Sequence, residues 1–149
     1  MNKRQFILVA EDDIDDKCML QMIFKDSGKN TLLEFVNNGL ELINFLDHIS
    51  QHEDTLVYPH FILLDLNMPK MDGRKTLKEL KDHRIYKKIP VIIFSTTKSE
   101  AEIDRCYELG ANSYIVKPHN YKDLLQIMAV VSSYWLDTAA LPDINGADD

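Results

Sequence analysis

Five short apolar runs, interrupted only by Glu34 and Asp65, punctuate the chain: Phe6–Ala10, Leu32–Val36, Phe61–Leu66, Val91–Phe94 and Tyr114–Val116. Hydrophobicity that does not alternate suits parallel strands covered on both faces. Between the runs the period lengthens to that of a helix. Ile14, Cys18 and Met22 recur every four residues, as do Leu42 and Leu46 with the adjoining Phe45 and Ile49. Leu77 and Leu80 mark a third helix, and Ile103 with Cys106 and Tyr107 a fourth. A fifth begins near Asn120 and carries Leu124, Met128, Val131 and Trp135 on one stripe. Strand then helix, five times over, predicts an open α/β sheet with right-handed crossovers.

Composition narrows this only a little. A chain of 149 residues, 45% hydrophobic and 28% charged, is expected to form one globular domain. Its apolar runs fall far short of the ~20 residues a membrane-spanning helix needs. The N-terminus, MNKRQFILVAEDD, meets acids too soon for a signal peptide, so the cytoplasm is the expected compartment. A net charge of −7 argues against a nucleic-acid footprint. Cys18 and Cys106 lie in helical patterns and are expected to be reduced, buried and unrelated. The spacings of Cys18, Cys106, His48, His52, His60, His83 and His119 suggest no zinc site. Residues 51–60, QHEDTLVYPH, read as a polar insertion before the third strand, and DINGADD after Pro142 as a short disordered tail.

In such sheets ligands bind beyond the carboxyl ends of the strands, where strand order reverses. The residues that end each run therefore carry the functional information. The first run ends in Glu11-Asp12-Asp13, the third reaches Asp65, the fourth Ser95-Thr96-Thr97 and the fifth Lys117-Pro118. The topology gathers these ends into a cup of carboxylates, hydroxyls and an ammonium. Crowded carboxylates repel, and a hard divalent cation such as Mg²⁺ relieves that repulsion with oxygen ligands. A lysine and a hydroxyl beside the ion could hold phosphoryl oxygens. Asp65 is then free to attack phosphorus and form an aspartyl phosphate.

Each of these residues also has a plainer reading. Asp13 fits as the N-cap of the first helix, and Asp72 with Gly73 as turn and cap residues after Pro69. A lone Ser95 or Lys117 would signify little. What the plain reading does not predict is four strand ends functionalised together.

The stretches VAEDD, LLDLNMPKMDG, IIFSTTK and SYIVKP resemble, in order and spacing, the motifs of receiver domains from two-component response regulators. The resemblance covers about residues 5–136 and leaves 137–149 as a partly disordered tail with no output domain. It implies a flavodoxin-like (βα)5 fold, a parallel sheet of order 2-1-3-4-5 with helices on both faces. It also implies Asp65 as phospho-acceptor and Mg²⁺ as cofactor. Glu11, Asp12, Asp65 and the backbone carbonyl of Asn67 would be the metal ligands, Glu11 acting through water. Alignment on the apolar run makes Glu11 and Asp12 the acidic pair, with Asp13 in the variable position after it. Ser95 stands where the family has Thr or Ser and would bond the phosphoryl group, as would Lys117. Ser95 and Tyr114 would form the switch, and the Lys117–Pro118 bond resembles one that is cis in the family.

A narrower resemblance, in the 51–60 insertion and the ending SSYWLDTAALP, is to the small regulators that partner bacterial phytochrome histidine kinases. It implies a kinase partner, a downstream protein partner and a homodimer with Tyr134, Trp135 and Leu136 at the contact. A second apolar stripe on the fifth helix, Ile127, Val130 and Tyr134, points the same way. Asn67 and Thr97 flank the expected water path and are candidates for setting the phosphoryl lifetime. The domain is expected to catalyse only its own phosphorylation and dephosphorylation. Two other readings stay open. One is an aspartate-nucleophile phosphohydrolase, which commonly carries an acid two residues after the nucleophile, where Asn67 has no titratable proton. The other is a pseudo-receiver that binds partners without being phosphorylated.

Overall fold

The computed structural model describes residues 5–51 and 57–144. Its elements run β1 (Gln5–Ala10), α1 (Ile14–Asp26), β2 (Thr31–Val36), α2 (Gly39–Gln51), β3 (Phe61–Leu64), α3 (Gly73–Asp82), β4 (Val91–Ser95), α4 (Glu100–Glu108), β5 (Ser113–Val116) and α5 (Tyr121–Ser132). A 3-10 turn at Tyr86–Lys88 follows α3, and a π-helical stretch at Ser133–Thr138 continues α5. The five strands form one parallel sheet of order β2-β1-β3-β4-β5, as predicted. Residues 52–56, half of the expected insertion and including His52, and residues 145–149 of the expected tail lie outside the described residues.

Strand side chains alternate between two cores. Ile7 and Val9, Phe61 and Leu63, Ile92 and Phe94 meet Leu20, Ile23 and Phe24 of α1 and Leu124, Met128 and Val131 of α5. Their neighbours Leu8 and Ala10, Ile62 and Leu64, Val91 and Ile93 meet Leu42, Leu46, Leu77, Leu80 and Cys106 on the opposite face. The two-residue strand period thus feeds two helix layers at once. β3 is shorter than the apolar run suggests, because the chain leaves the ladder after Asp65, whose N–H still bonds the Ala10 carbonyl at 3.1 Å.

Three expectations need correction. The Ile14–Cys18–Met22 stripe faces outward: Ile14 is 72% and Met22 52% exposed, and Cys18 is exposed rather than buried. α1 carries a rival stripe, Leu20, Ile23 and Phe24, whose larger side chains bury more apolar area against the sheet and α5. The segment before β3 is not simply polar, since Tyr58 is buried with its ring edge-on to Tyr86. The backbone has no cis peptide bond among the described residues, so Lys117–Pro118 is trans, the intrinsically favoured isomer. Trp135 lies against the α1/α5 core, as the fifth-helix stripe predicts, with its ring 6.5 Å from Phe61, and Leu136 packs there too, while Tyr134 is 52% exposed. An indole gains more from its own sheet than from solvent.

Candidate phospho-acceptor site

Local rules build the rim of the site. Asp13 caps α1 by accepting the Asp16 N–H at 2.9 Å, and Asp72 caps α3 by accepting the Lys75 N–H at 3.0 Å. Both plain readings of these acids therefore hold. Gly73 opens α3 hard against β3. A Cβ there would lie 2.3 Å from the Asp65 carbonyl oxygen and 2.7 Å from the Leu66 Cα. Only a residue without a side chain lets this helix begin so close to the strand end.

Glu11 and Asp65 stand one step beyond Val9 and Leu63, in the strand series that faces α1 and α5. Glu11 is 2% and Asp65 7% exposed, whereas Asp12 faces solvent. One oxygen from each of Glu11, Asp12 and Asp65 lies within 4.8 Å of the others. Asp65 Oδ1 accepts the Asn67 N–H at 3.3 Å, which ties the β3–α3 loop to the Asp65 carboxylate. Lys117, 8% exposed, reaches in from the end of β5, where its N–H bonds the Ser95 carbonyl at 2.8 Å. Its ammonium pairs with Glu11, with Asp16 at 3.0 Å and with Asp65 at 3.4 Å, and lies 5.7 Å from the centre of the Phe94 ring.

Burial and charge pull these groups in opposite directions. Burial pushes the Glu11 carboxyl up to about 7, against the hydrogen bond and charge of Lys117, while Asp65 adds to the rise. For Lys117 burial alone would favour the neutral amine. The Glu11 hydrogen bond, the charges of Glu11 and Asp65 and the Asp16 contact outweigh it and raise the ammonium above its usual range.

The hydroxyl side of the cup is equally connected. Ser95 is fully buried, and its Oγ accepts the Thr97 N–H at 3.3 Å. Tyr114, half-buried, donates its hydroxyl to the Thr97 carbonyl at 2.8 Å. Burial raises the Tyr114 phenol, with the nearby Ser95 side chain opposing. Behind it, Arg74 grips Glu102 through Nε at 2.9 and 2.8 Å and Nη2 at 2.7 Å, joining the starts of α3 and α4.

The fold thus brings Glu11, Asp12, Asp65, Asn67, Ser95, Thr97, Tyr114 and Lys117 to one end of the sheet, and leaves Tyr134, Trp135 and Leu136 away from it. Sequence reasoning missed Asp16. Nothing local distinguished it from Asp15, because acids in a first helical turn are ordinarily explained by the helix dipole.

A parallel sheet of order 2-1-3-4-5 with this acid, hydroxyl and lysine set at its carboxyl end defines a receiver domain. The chain belongs to the response regulator receiver domain family, which matches residues 7–129. Receiver domains are signalling modules of two-component systems and bind Mg²⁺, and the all-oxygen cluster of Glu11, Asp12 and Asp65 fits such an ion. Among relatives, the chain is 37% identical to response regulator Rcp1 of Synechocystis sp., over 95% of each chain. It is 30% identical to the probable methanogenesis regulatory protein FilR2 of Methanothrix harundinacea, over 87% of this chain and 83% of that one. The phosphorylated cyanobacterial phytochrome response regulator RcpA superposes with a TM-score of 0.86 at 35% identity, over 95% of this chain and 100% of that one. The Mn²⁺-bound form of Rcp1 does so with a TM-score of 0.82 at 37% identity, over 93% and 99%.

Proposed function

We propose that the chain is a phosphorylation switch in which Asp65 accepts a phosphoryl group from a phosphohistidine of a histidine kinase. The observation that carries this is the buried Asp65 carboxylate, held between the Lys117 ammonium and the acidic pair Glu11 and Asp12. Asp12, Asp65 and the Asn67 backbone carbonyl would hold Mg²⁺, with Glu11 reaching it through water. When bound, the ion neutralises charge building on the transferring oxygens. Asp65 attacks phosphorus in line with the leaving group, and Lys117 stabilises the transferred oxygens from a low-dielectric position. Ser95 then turns its hydroxyl to the phosphoryl group. Thr97, whose N–H bonds the Ser95 hydroxyl and whose carbonyl accepts the Tyr114 hydroxyl, carries that movement to α4, β5 and α5, biasing an existing equilibrium. Asn67 and Thr97, on either side of the acceptor, tune how long the group survives hydrolysis.

The structural neighbour named a cyanobacterial phytochrome response regulator supports a kinase of the phytochrome type, and the reading adds a downstream protein or phosphotransfer partner. The reading includes a cytoplasmic location, a receiver domain over residues 5–136 and a homodimer with Tyr134, Trp135 and Leu136 at the contact. The exposure of Val130 and Tyr134 supports that dimer, and equal sedimentation of wild type and Tyr134→Ala would remove it. Intact-mass analysis with a small phosphodonor and Mg²⁺ tests the core of the proposal. A single phosphoryl adduct on wild type and none on Asp65→Asn is expected. An unmodified wild type points instead to a pseudo-receiver, and multiple turnover of phosphate esters to a phosphohydrolase.

A further inference from the structure

The Lys117 ammonium has three N–H donors, and three carboxylates from separate parts of the chain claim it. These are Glu11, Asp16 at 3.0 Å and Asp65 at 3.4 Å. Two of them are shared. Glu11 and Asp65 belong to the oxygen cluster with Asp12, so a divalent ion there draws on the same carboxylates that hold the ammonium. Asp16 stands outside the cluster. Among the described residues it is the partner of Lys117 that an ion does not compete for. Its place is fixed by the α1 cap, where its own N–H bonds Asp13, and its side chain is only 29% exposed. The neighbouring first-turn acid, Asp15, is exposed and is not among the partners of Lys117.

We infer that Asp16 is a positioning residue for phosphoryl transfer, an anchor that keeps the Lys117 ammonium aimed at Asp65 while a divalent ion engages Glu11 and Asp65. A donor that must stabilise growing charge works best when already oriented, and Asp16 supplies that orientation from an element rigidly joined to the sheet. The inference rests on the proposed function. With phosphoramidate as donor, an Asp65 oxygen forms the P–O bond as the P–N bond breaks, and ammonia leaves with the protons its nitrogen already carries.

The test measures Asp65 phosphorylation rates by intact mass, with phosphoramidate and Mg²⁺, for wild type, Asp16→Asn, Asp16→Glu, Asp15→Asn, Lys117→Ala and the Lys117→Ala/Asp16→Asn double variant. Asp16→Asn should slow the reaction roughly tenfold or more, the scale of a lost orienting contact. Asp15→Asn, which removes the same charge, should remain within about twofold, the small effect expected of a screened surface charge. Asp16→Glu should recover most of the rate. In the Lys117→Ala background Asp16→Asn should have no further effect, because a residue acting through Lys117 has nothing left to orient. Calorimetry with Mg²⁺ alone should show Asp16→Asn and Asp15→Asn weakening affinity equally. A much larger loss for Asp16→Asn would make Asp16 a metal ligand and overturn the inference. Equal rates for Asp16→Asn and Asp15→Asn, or a full Asp16→Asn effect without Lys117, would overturn it too. Wild type that takes no phosphoryl group would sink the proposed function itself.

Discussion

Replacing Gly73 by alanine tests the coupling of fold to site most directly. By helix propensity alone the change should stabilise α3, since alanine is favoured over glycine by about 1 kcal/mol in a helix. The geometry forbids that gain. The added Cβ would meet the Asp65 carbonyl oxygen at 2.3 Å, the Leu66 Cα at 2.7 Å and the Asp65 carbonyl carbon at 3.0 Å. All three are backbone atoms, so no side chain can rotate away. Restoring ordinary contact requires α3 and the Asp65 turn to part by about 1 Å. Overpacking of this kind costs about 1–3 kcal/mol, enough to reverse the propensity gain. The same displacement moves the Asp65 carboxylate relative to Lys117 and Asp12, and a misplacement of that size can slow a reaction by about 100-fold. Gly28 gives the contrast. Its φ is +75° with nothing within 4 Å of a built Cβ, so Gly28→Ala should lose about 1 kcal/mol to backbone strain yet phosphorylate normally. Urea midpoints and intact-mass phosphorylation rates on both variants decide the matter. A Gly73→Ala protein as stable as wild type, with an undiminished rate, would refute the argument.

Other consequences are more local. Asp13→Ala removes the α1 cap and should cost about 1 kcal/mol in urea unfolding. Arg74 and Glu102 are each about a third exposed, so a double-mutant cycle with alanine should give a coupling of only about 0.2–1 kcal/mol. Glu11 gives a pH signature. Its folded value, about 7, lies above the ordinary 4.5, so the folded protein holds a proton that the unfolded chain has released. That contribution is complete below pH 4.5 and is lost as pH rises through about 7, so metal-free urea midpoints should decline across this window and flatten in Glu11→Gln. Saturating Mg²⁺, at about 100 times its dissociation constant, should stabilise wild type by about 2.7 kcal/mol and Asp12→Asn far less, as read by thermal unfolding.

The sequence alone carried the strand–helix alternation, the strand ends and the quoted motifs. These are properties of period and order, which local chemistry writes directly into the chain. Asp65 was legible because an acid ending a buried run is conspicuous, and Asp13 and Asp72 because capping needs only a few consecutive residues. The choice of buried face on α1 was not legible. Ile14, Cys18 and Met22 have the right period, but Leu20, Ile23 and Phe24 win the sheet through packing with α5, which no window along α1 contains. Asp16 was hidden for the same reason. It gains its meaning from Lys117, 101 residues away, and only the assembled sheet brings that ammonium to the first turn of α1. Periodicity reports what an element can bury. Which partner it meets is a long-range property, settled by the competition of every face for the same limited core.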